Sequence, residues 1–484
     1  MIYQILPGPK ISSVHLDKNN NEKIIKLEFK REFSHLLIYD YNKRYKLIID
    51  TFNNTLDLID SKIFFGLLKQ NKINSTIYKY LLHRFTPPHS KEGEKELRYN
   101  YGKFLEEKKS LYTTVFGICP TYSCNMRCRY CYQKNRRRNN DLISDKKLKY
   151  IFNFINNSRF NNSTPTVIEL FGGEPLQQQN KKVISKVFSF CRQNNYPLTV
   201  TTNGLDLYDY LDLFVLYSKY ILRVATTLDG VGEFHNLRRR PLHKIDGFSR
   251  ISRGIDFLLN LGIDTDLYIN IDYEILNQLP KLLEYCRDKN WLDNDNFKIR
   301  IGRVDDRCFE NLSNSIMSES DLLRQIVLLF KDNSGSHKNF QLAFLKTILP
   351  LAQLFNIDFG QNELKAKYHY CSSVSPFIKG YYIDDKLDAY RCPYSVGNKD
   401  FSIGNIKKEV NAEMWERHSL LFLPECLDCP LGGYCSGGCY LSYIIDRKRN
   451  CLYEKENFDN FIKMVIIPKI KVLNKDNYYE KYKI

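Results

Sequence analysis

Residues 112–133 read YTTVFGICPTYSCNMRCRYCYQ, and this stretch decides the fold prediction. The apolar run at 112–118 has the length and composition of a buried β-strand. Three cysteines follow it directly, with the spacing Cys124-x3-Cys128-x2-Cys131. In sheets of parallel strands, functional sites are built by the loops that follow the carboxyl ends of the strands. The stretch therefore predicts a sheet strand followed by a loop that carries the chemistry.

The pattern of apolar strand, loop and amphipathic helix repeats after this first strand, which is typical of a parallel sheet with crossover helices. In the fourth helix, Ile251, Ile255, Leu258 and Leu259 share one face, and Gly262 stands where a left-handed C-cap is expected. The repeats, about six in number, predict an α/β fold with a partial (β/α)6 TIM-like barrel over residues 111–310. The predicted strands are 112–118, 166–171, 197–202, 221–228, 263–271 and 296–302.

The regions on either side of the barrel have different patterns. Residues 1–110 alternate strand-like runs with helix-like runs at 61–69 and 75–84, and they predict a small α+β domain with a hairpin at Tyr39–Lys46. The proline pair at 87–88 and the charged run to Lys95 indicate a linker. After the barrel we expect a helical connector at 311–367, a cysteine-rich domain at 368–455, and a C-terminal helix and tail at 456–484.

The composition excludes several classes of protein. A chain of 484 residues that is 43% hydrophobic and 14% aromatic has enough apolar surface for packed cores, so it is not disordered. No apolar run approaches the roughly 18 residues that span a bilayer, and the N-terminus lacks a signal-peptide pattern, so we expect a cytoplasmic protein without a membrane partner. The net charge of +17 suggests an acidic partner such as nucleic acid, an anionic peptide or a phosphate-bearing cofactor, although a basic solvated surface explains it equally well.

The 14 cysteines are clustered rather than scattered. Three thiolates on one short loop suit an iron–sulfur cluster that leaves one iron uncovered, because a closed zinc site needs a fourth ligand nearby. A zinc site completed by Cys119 or by a distant histidine is the alternative. Four isolated cysteines are predicted to be buried small hydrophobic residues: Cys119, Cys191, Cys286 and Cys308.

The cysteine loop and three later motifs resemble the signature of the radical S-adenosylmethionine (SAM) enzymes. CNMRCRYCY matches the CxxxCxxC pattern of that family, with an aromatic residue, Tyr130, before the last cysteine. The other motifs follow successive predicted strands, and they are Gly172-Gly173-Glu174-Pro175, Thr202-Asn203-Gly204, and Thr227-Leu228-Asp229-Gly230 together with His235-Asn236-Leu237-Arg238-Arg239.

The resemblance implies that SAM chelates the uncovered iron of a [4Fe-4S] cluster held by Cys124, Cys128 and Cys131. Glycine at 172 and 173 would let backbone carbonyls approach the methionine amino group, and a role in the turn alone is the alternative. Arg239 would pair with the SAM carboxylate, but which of three neighbouring arginines points inward is open, and a surface arginine cluster is the alternative. Asp229 would shape the turn after the fourth strand. The residues implied at the cofactor are Gly172, Gly173, Glu174, Pro175, Asn203, Thr227 and Arg239.

The later cysteines resemble the SPASM extension of peptide- and protein-modifying radical SAM enzymes, and a zinc knuckle is the alternative. No cysteine follows near Phe377, where fully ligated members have one, which predicts an open iron to which a substrate thiolate could bind. Leu387 replaces a glycine of the relatives, so we expect a reshaped turn there. The resemblance implies two auxiliary [4Fe-4S] clusters, one on Cys426, Cys429, Cys435 and Cys451 and the other on Cys371, Cys392 and Cys439.

The implied activity is an oxidoreductase that cleaves SAM reductively to a 5′-deoxyadenosyl radical, with an electron donor such as flavodoxin or ferredoxin. The N-terminal domain resembles the leader-peptide-recognising domains of maturases for ribosomally made peptides, whose acidic leader could add to a strand edge, although a simple barrel cover is the alternative. We therefore expect a precursor-peptide maturase that installs a thioether or carbon–carbon cross-link.

Three other functions are alternatives to this one. Anaerobic sulfatase maturases, which form formylglycine, carry an Asp directly after the second SPASM cysteine, where this chain has Pro393. An iron–sulfur RNA-modifying protein would explain the positive charge, but no RNA-binding module is recognised, so nucleic acid is not expected as a partner. A non-catalytic scaffold has no need of the intact cysteine triad.

Overall fold

The structure is a computed structural model. The predicted helix-like run at 75–84, most of the run at 61–69, and Cys308 lie outside the residues that it describes. The described residues are 2–4, 25–26, 35–62, 64, 72–73, 88, 90–107, 113–136, 141–158, 165–304, 317–331, 339–342, 346–355, 357, 368–375, 377–419, 421 and 423–470.

The N-terminal region contains a small antiparallel sheet with the strand order β1-β5-β4-β3 and a separate β2-β6 pair. Asp40 lies opposite Lys46, so the predicted hairpin at 39–46 is present. Its turn is fixed by Asn42, whose Oδ1 accepts hydrogen bonds from the backbone N–H groups of Arg44 at 2.8 Å and Tyr45 at 2.9 Å. The strands are β1 (Ile2–Gln4), β2 (Ile25–Lys26), β3 (Leu37–Asp40), β4 (Tyr45–Asp50), β5 (Thr55–Asp60) and β6 (Lys72–Ile73).

The linker prediction was wrong over residues 91–95, because helix α1 (Lys91–Glu107) begins there. Ser90 accepts a hydrogen bond from the backbone N–H of Gly93 at 3.0 Å, which caps the helix. Glu92 and Glu94 in the first turn favour the positive end of the helix dipole. The charged run is therefore an exposed helix start rather than a spacer.

The predicted partial barrel is confirmed as a parallel sheet with the order β15-β14-β13-β11-β10-β9-β7. Each of the six predicted strands is present, with ends shifted by at most two residues. A separate short ribbon pairs β8 with β12 antiparallel, which places Cys128 opposite Arg239. The strands are β7 (Thr113–Ile118), β8 (Met126–Cys128), β9 (Thr166–Leu170), β10 (Leu198–Thr201), β11 (Ile221–Thr227), β12 (Arg239–Pro241), β13 (Thr265–Ile271), β14 (Phe297–Arg303) and β15 (Phe340–Leu342).

Helices alternate with these strands along the chain, and α2, α3, α4 and α6 pack on the sheet. Gly262 has φ 69°, as the predicted left-handed cap after α6 requires. The helices are α2 (Asp145–Asn157), α3 (Lys181–Asn194), α4 (Leu211–Tyr217), α5 (Glu233–Arg238), α6 (Gly247–Asn260), α7 (Tyr273–Leu276), α8 (Leu279–Asp288), α9 (Glu319–Lys331) and α10 (Leu349–Leu354). The predicted helical connector thus also contains a strand, β15, which extends the sheet parallel to β14.

The two faces of the sheet differ in polarity because successive residues of a strand point to opposite sides. The face under the helices is apolar, with Ile168, Leu170, Leu198 and Val200 buried against α2 and α3. We call the opposite side the inner face. Its register aligns Gly117, Glu169, Thr199 and Arg223 on β7 to β11, and Asp266, Tyr268 and Arg300 on β13 and β14.

The cysteine-rich region joins the same sheet instead of forming a separate layer. Two of its strands, β16 and β17, pair parallel with β7, and β18 pairs with β17. The last long helix is kinked at Asp446 and begins well before the predicted start of the C-terminal helix at residue 456. The elements of the cysteine-rich region are β16 (Ile378–Lys379), β17 (Tyr382–Ile383), β18 (Ala389–Tyr390), α11 (Glu413–Glu416), α12 (Pro424–Leu427), α13 (Gly432–Cys435) and the long helix α14 (Tyr440–Phe461). No helix among the described residues is long and apolar enough to cross a membrane.

Candidate active site

The cysteine loop after β7 is held by a carboxylate from a distant part of the chain. Asp141 accepts hydrogen bonds from the backbone N–H groups of Tyr122 at 2.7 Å and Ser123 at 3.0 Å, and from the Thr121 hydroxyl. Three donors converge on this side chain, so the loop has one preferred conformation. The sequence analysis missed Asp141, because nothing in the local pattern links it to residues twenty positions earlier.

The loop brings the thiols of Cys124, Cys128 and Cys131 together. Burial, followed by the Cys128 thiol and the Glu174 carboxyl, raises the pKa of Cys124 to about 12, and the Cys131 thiol adds to this. Neighbouring thiols that disfavour the ionisation of Cys124 indicate a place for a cation, because a coordinating metal deprotonates its thiol ligands. The donor set of three thiolates on one loop fits an iron–sulfur cluster with one uncovered iron.

The Gly172-Gly173 segment packs directly against this loop. A Cβ atom at Gly173 would lie 2.3 Å from the carbonyl oxygen of Ser123, and one at Gly172 would lie 2.7 Å from the carbonyl oxygen of Thr121. Gly172 also has φ 147°, which side chains rarely adopt. Both glycines keep partial solvent exposure. Both glycines are therefore required for contact with the cysteine loop, a contact that neither the predicted cofactor role nor the alternative role in the turn included.

Glu174 and Asn203 connect the loops after β9 and β10 to the first cysteine. The fully buried Glu174 accepts hydrogen bonds from the backbone N–H of Leu176 at 2.8 Å, the Thr202 hydroxyl at 2.6 Å and the backbone N–H of Asn203 at 2.5 Å. The Asn203 amide donates to Asn125 at 2.8 Å and lies 3.7 Å from the Cys124 sulfur. Glu174 thus joins the loops after β9 and β10 by hydrogen bonds, and the Asn203 amide contacts Cys124.

The buried carbonyl of Pro175 accepts a hydrogen bond from the Asn180 amide at 3.1 Å, which closes the turn after Glu174. On β11, Thr227 lies at the carboxyl end of the strand and keeps partial exposure. The predicted cofactor residues therefore lie at the carboxyl ends of neighbouring strands, on the side of the cysteine loop.

Asp229, Tyr130 and Arg239 form a second network beside Cys128. The Tyr130 hydroxyl donates to Asp229 and accepts from Arg239 Nη1 at 2.6 Å and from the Asn270 amide at 3.2 Å. Asp229 is fully buried and also accepts from the backbone N–H of Asn270 at 3.2 Å. Asp229 therefore does more than shape the turn after the fourth strand, because it also holds Tyr130 and Asn270 in this network.

Two of the three neighbouring arginines point inward. Arg238 is buried and pairs with Asp272 at 2.8 Å and Glu274 at 3.1 Å, whereas Arg240 is exposed. Arg239 is buried beside Cys128, and no hydrogen-bond partner is found for its Nε among the described residues. An unsatisfied, buried guanidinium N–H fits an anionic group such as the carboxylate of SAM.

The later cysteines fall into two groups. The thiols of Cys429 and Cys451 both raise the pKa of Cys426, after burial, and Cys435 packs against the same core cluster as Cys429. A second cluster of side chains around Trp415 and Tyr440 contacts the other group, which is Cys371, Cys392 and Cys439. The two groups have the same members as the two ligand sets that the sequence resemblance implies, and these ligand sets stay a prediction.

The isolated cysteines behave as predicted where they are described. Cys119, Cys191 and Cys286 are buried. Among the described residues, no three His, Cys, Asp or Glu side chains are arranged around a single metal ion. In a [4Fe-4S] cluster each thiolate binds a different iron atom, so its ligands do not converge on one point.

Leu387 adopts the backbone conformation that a glycine at this position would favour, so the predicted reshaping of the turn is not confirmed. Its φ of 68° is in the left-handed region that glycine prefers, and its side chain is 1% exposed. The turn is held by Asp384, which accepts hydrogen bonds from the backbone N–H groups of Lys386 at 2.9 Å and Asp388 at 3.0 Å. The backbone conformation is therefore kept although the glycine is absent.

The inner face carries charged residues that the sequence analysis did not single out. Asp266 forms ion pairs with Arg300 at 2.6 Å and Arg223 at 3.2 Å, and Glu169 accepts a hydrogen bond from the Tyr382 hydroxyl at 3.1 Å. The signal was present in the sequence, because alternate positions of these strands are polar although the strands are buried.

Comparison with known proteins agrees with this geometry. The family model of the radical SAM superfamily matches residues 118–286. A cysteine-type anaerobic sulfatase-maturating enzyme of Clostridium perfringens is 19% identical over 354 residues, which cover 69% of this chain and 88% of the relative. A probable GTP 3′,8-cyclase of Methanococcus maripaludis is 24% identical over 188 residues, 38% of this chain and 58% of the relative.

Solved structures show the same fold over a larger part of the chain. Native anSMEcpe with bound AdoMet superposes with a TM-score of 0.56 at 17% identity and covers 75% of this chain and 99% of its own. Streptococcus suis SuiB bound to precursor peptide SuiA has a TM-score of 0.51 at 16% identity and covers 88% of this chain and 97% of its own. Residues 118–286, which include the cysteine loop, therefore match the radical SAM superfamily, whose members use a [4Fe-4S] cluster with SAM, and the chain resembles the peptide maturases among them.

Proposed function

We propose that this enzyme is a peptide maturase that installs a thioether or carbon–carbon cross-link in a ribosomal precursor peptide. The observation that carries the proposal is the N-terminal sheet docked on the cysteine-rich region. The Thr51 hydroxyl donates to the carbonyl of Pro430 at 2.9 Å and accepts from the backbone N–H of Gly433 at 3.2 Å, and the Tyr434 hydroxyl donates to Asn54 at 2.5 Å. A solved relative that covers both regions, SuiB, is bound to its precursor peptide.

The docked sheet offers an edge to an incoming peptide. Within the described residues β3 is an edge strand, and its Ile38 is exposed. Edge strands pair with extended peptides by adding a strand, and the net charge of +17 favours an acidic leader. The Tyr39 hydroxyl donates to Asp459 at 2.6 Å, which fixes the other side of the strand against α14. We therefore assign the leader to β3.

The barrel mouth provides the cofactor site. Cys124, Cys128 and Cys131 would hold the first cluster, which together with SAM supplies a 5′-deoxyadenosyl radical when bound. Arg239 would bind the SAM carboxylate through its unsatisfied Nε, and Asn203 would donate a hydrogen bond to the sulfur of Cys124. Glu174 and Pro175 hold the turn that presents Gly172 and Gly173, and Thr227 offers a hydroxyl from the carboxyl end of β11.

The two cysteine groups of the C-terminal region would hold auxiliary clusters. Cys426, Cys429, Cys435 and Cys451 provide four thiolates, and Cys371, Cys392 and Cys439 provide three. The second set leaves a position at which a substrate thiolate could bind. A flavodoxin or a ferredoxin is the class of electron donor that we expect.

The test uses the anaerobically reconstituted protein with dithionite, SAM and the precursor peptide encoded beside its gene. We expect 5′-deoxyadenosine to form and the peptide to lose two hydrogens, and tandem mass spectrometry then locates the new bond. The variant Cys128→Ala is expected to abolish deoxyadenosine formation. Deoxyadenosine without any change in the peptide would refute the substrate assignment and leave the radical chemistry intact.

Sulfatase maturation is the second candidate, because the Clostridium perfringens relative matches most of both chains. Against it, Pro393 follows Cys392 where that class has an aspartate. A cysteine-containing sulfatase peptide in the same assay separates the two functions. Conversion of its cysteine to formylglycine, with loss of sulfur, would favour this candidate.

A further inference from the structure

The inner face of the barrel contains a carboxyl group, Glu169, to which neither the fold nor the cofactor site assigns a role. Glu169 lies on β9, three residues before Gly172, and faces the same side as its sheet neighbours Gly117 and Thr199. The residue keeps partial solvent exposure although it belongs to the central part of the sheet. A small molecule or peptide on the inner face would therefore meet this carboxyl.

Tyr382 fixes the orientation of the Glu169 carboxyl. Its hydroxyl donates to Glu169 Oε2 at 3.1 Å, and its ring packs against Phe171 with centroids 5.2 Å apart. A Cβ atom at Gly117 would lie 2.1 Å from the Tyr382 ring, so only glycine allows the ring to lie on β7. Thr201 also donates to Glu169 through its side chain. The hydrogen bond from Tyr382 thus fixes the position of one carboxyl oxygen of Glu169, Oε2.

The remaining charged and titratable groups around Glu169 come from three other strands, β11, β13 and β14. Arg223 on β11 stabilises the carboxylate, but it also pairs with Asp266 at 3.2 Å, and Asp266 accepts from Arg300 at 2.6 Å. Tyr268 on β13 faces the same space. Burial raises the pKa of Glu169 from its ordinary value and outweighs the opposing effects of Tyr382, Arg223 and Thr201. A raised pKa is what a proton acceptor near neutral pH needs.

Glu169 lies between the cysteine triad at the barrel mouth and the C-terminal cysteine-rich region. On one side, β9 leads into the loop that packs on the cysteine triad. On the other side, Tyr382 is near enough to Cys392 that this thiol contributes, after burial and Glu169, to a higher pKa of the tyrosine. A substrate that reaches from the barrel mouth toward the cysteine-rich region would pass this carboxyl.

We propose that Glu169 is the base that accepts the proton released by the peptide when its new bond forms. The inference rests on the proposed maturase function. After a hydrogen atom has been removed from carbon, the resulting carbon radical contributes one electron and the attacking X–H group contributes its bonding pair. Two of these three electrons form the C–X bond, the proton goes to the Glu169 carboxylate, and the third electron goes to an oxidised iron–sulfur cluster as one-electron acceptor.

The first test compares Glu169→Gln with the matched inner-face control Thr199→Val, using the reconstituted enzyme and the precursor peptide. We expect Glu169→Gln to keep iron content and deoxyadenosine formation while cross-linked peptide falls about 100-fold, the usual contribution of a general base. Glu169→Asp should recover part of the product. Product at the wild-type rate in Glu169→Gln would overturn this inference alone, and a wild-type enzyme that leaves the peptide unchanged overturns the proposed function and this inference with it.

The second test distinguishes a base from a structural carboxyl. The yield of cross-link per deoxyadenosine should rise with pH in the wild type as Glu169 ionises. Tyr382→Phe removes a donor that stabilises the carboxylate, so the midpoint of this rise should move to higher pH. An unchanged midpoint would contradict the assignment.

A third measurement needs no peptide. The folded protein disfavours the ionised carboxyl, so wild-type stability should decrease as pH rises above the ordinary pKa of glutamate, and Glu169→Gln lacks this loss. The melting temperature of Glu169→Gln relative to wild type should therefore be higher at pH 8 than at pH 5. A constant difference would show that Glu169 is not a carboxyl with a raised pKa and would overturn the inference.

Discussion

Leu387 shows at the scale of one residue how packing and backbone strain compete. A non-glycine residue in the left-handed region costs about 1–2 kcal/mol, and truncating a buried leucine costs about 2–5 kcal/mol. We expect both Leu387→Gly and Leu387→Ala to be destabilised, but the glycine variant should melt higher because it alone relieves the strain. Thermal unfolding of the two variants measures this order.

The control is Leu148 in α2, which is equally buried but has a helical backbone. There the order should be reversed, because glycine in a helix costs about 1 kcal/mol relative to alanine. The same order at both positions would contradict the account of Leu387.

His235 leads to a pH prediction at the same scale. It is fully buried, its Nδ1 accepts from the backbone N–H of Asp229 at 3.1 Å, and burial lowers its pKa to about 3. The unfolded chain therefore takes up the proton first, and stability should fall as pH decreases from 6.5 toward 3, by about 1.4 kcal/mol for each pH unit well below 6.5.

The variant His235→Asn keeps an acceptor for Asp229 but does not titrate. The melting temperature of the wild type relative to this variant should therefore decrease between pH 7 and pH 5. A difference that stays constant over this range would refute the buried neutral histidine.

At the scale of elements, we expect the contact between the Gly172-Gly173 loop and the cysteine loop to determine whether the first cluster forms. Gly173→Ala would force a Cβ atom against the backbone of Ser123, so the cysteine loop must move. We expect the reconstituted variant to lose the iron of one cluster and all deoxyadenosine formation. Iron analysis and chromatography of the reaction measure both.

Gly102→Ala is the matched control for this substitution. Gly102 lies in α1, and its Cβ would meet no atom within 4 Å. Here alanine should leave iron content unchanged and stabilise the helix by up to about 1 kcal/mol. Normal iron in Gly173→Ala would show that the two loops tolerate displacement.

The elements that were predicted well are those whose structure depends on residues close together in the sequence. Apolar runs such as 166–170 and 265–271 are strands because one face is buried under helices, and this leaves a pattern in the sequence. The pairing of β16 and β17 with β7 left no such pattern, since it depends on residues far apart in the chain. The charged start of α1 was misassigned because an exposed helix and a linker share their composition.

The site was predictable to the extent that chemistry fixes residue type and spacing. The cysteine triad and the glycines after β9 are such residues. Asp141, Glu169 and Tyr382 were not found, because each acts on a partner that only the tertiary fold brings near. The Cys-rich region was recognised by spacing, but its docking on the N-terminal sheet through Thr51 was not.

At the scale of the whole molecule, the Thr51 contact joins the N-terminal sheet to the cysteine-rich region, and the proposed function requires this contact for peptide capture. Thr51→Val removes two hydrogen bonds at about 1 kcal/mol each and leaves the carbonyl of Pro430 unsatisfied. We expect hydrogen exchange in β4 and β5 to accelerate and the affinity for the precursor peptide to fall several-fold. Deoxyadenosine formation without peptide should not change.

Thr166→Val in β9 is the control, because it makes the same replacement in a strand of the barrel. It should affect neither exchange in β4 and β5 nor peptide affinity. Equal peptide binding by Thr51→Val and the wild type would show that docking of the N-terminal sheet does not contribute to substrate binding.

The parallel pairing of β17 with β7 also affects how the chain is made. Tyr382 pairs with Gly117. The outer edge of the first barrel strand therefore stays unpaired until the ribosome has added a segment that lies 265 residues later in the chain. At about 5–20 residues per second, that edge remains open for roughly 13–53 s during synthesis. An open strand edge is a template for aggregation. Completion of the barrel is therefore a post-translational or late co-translational event, and chaperone dependence during expression is its expected consequence.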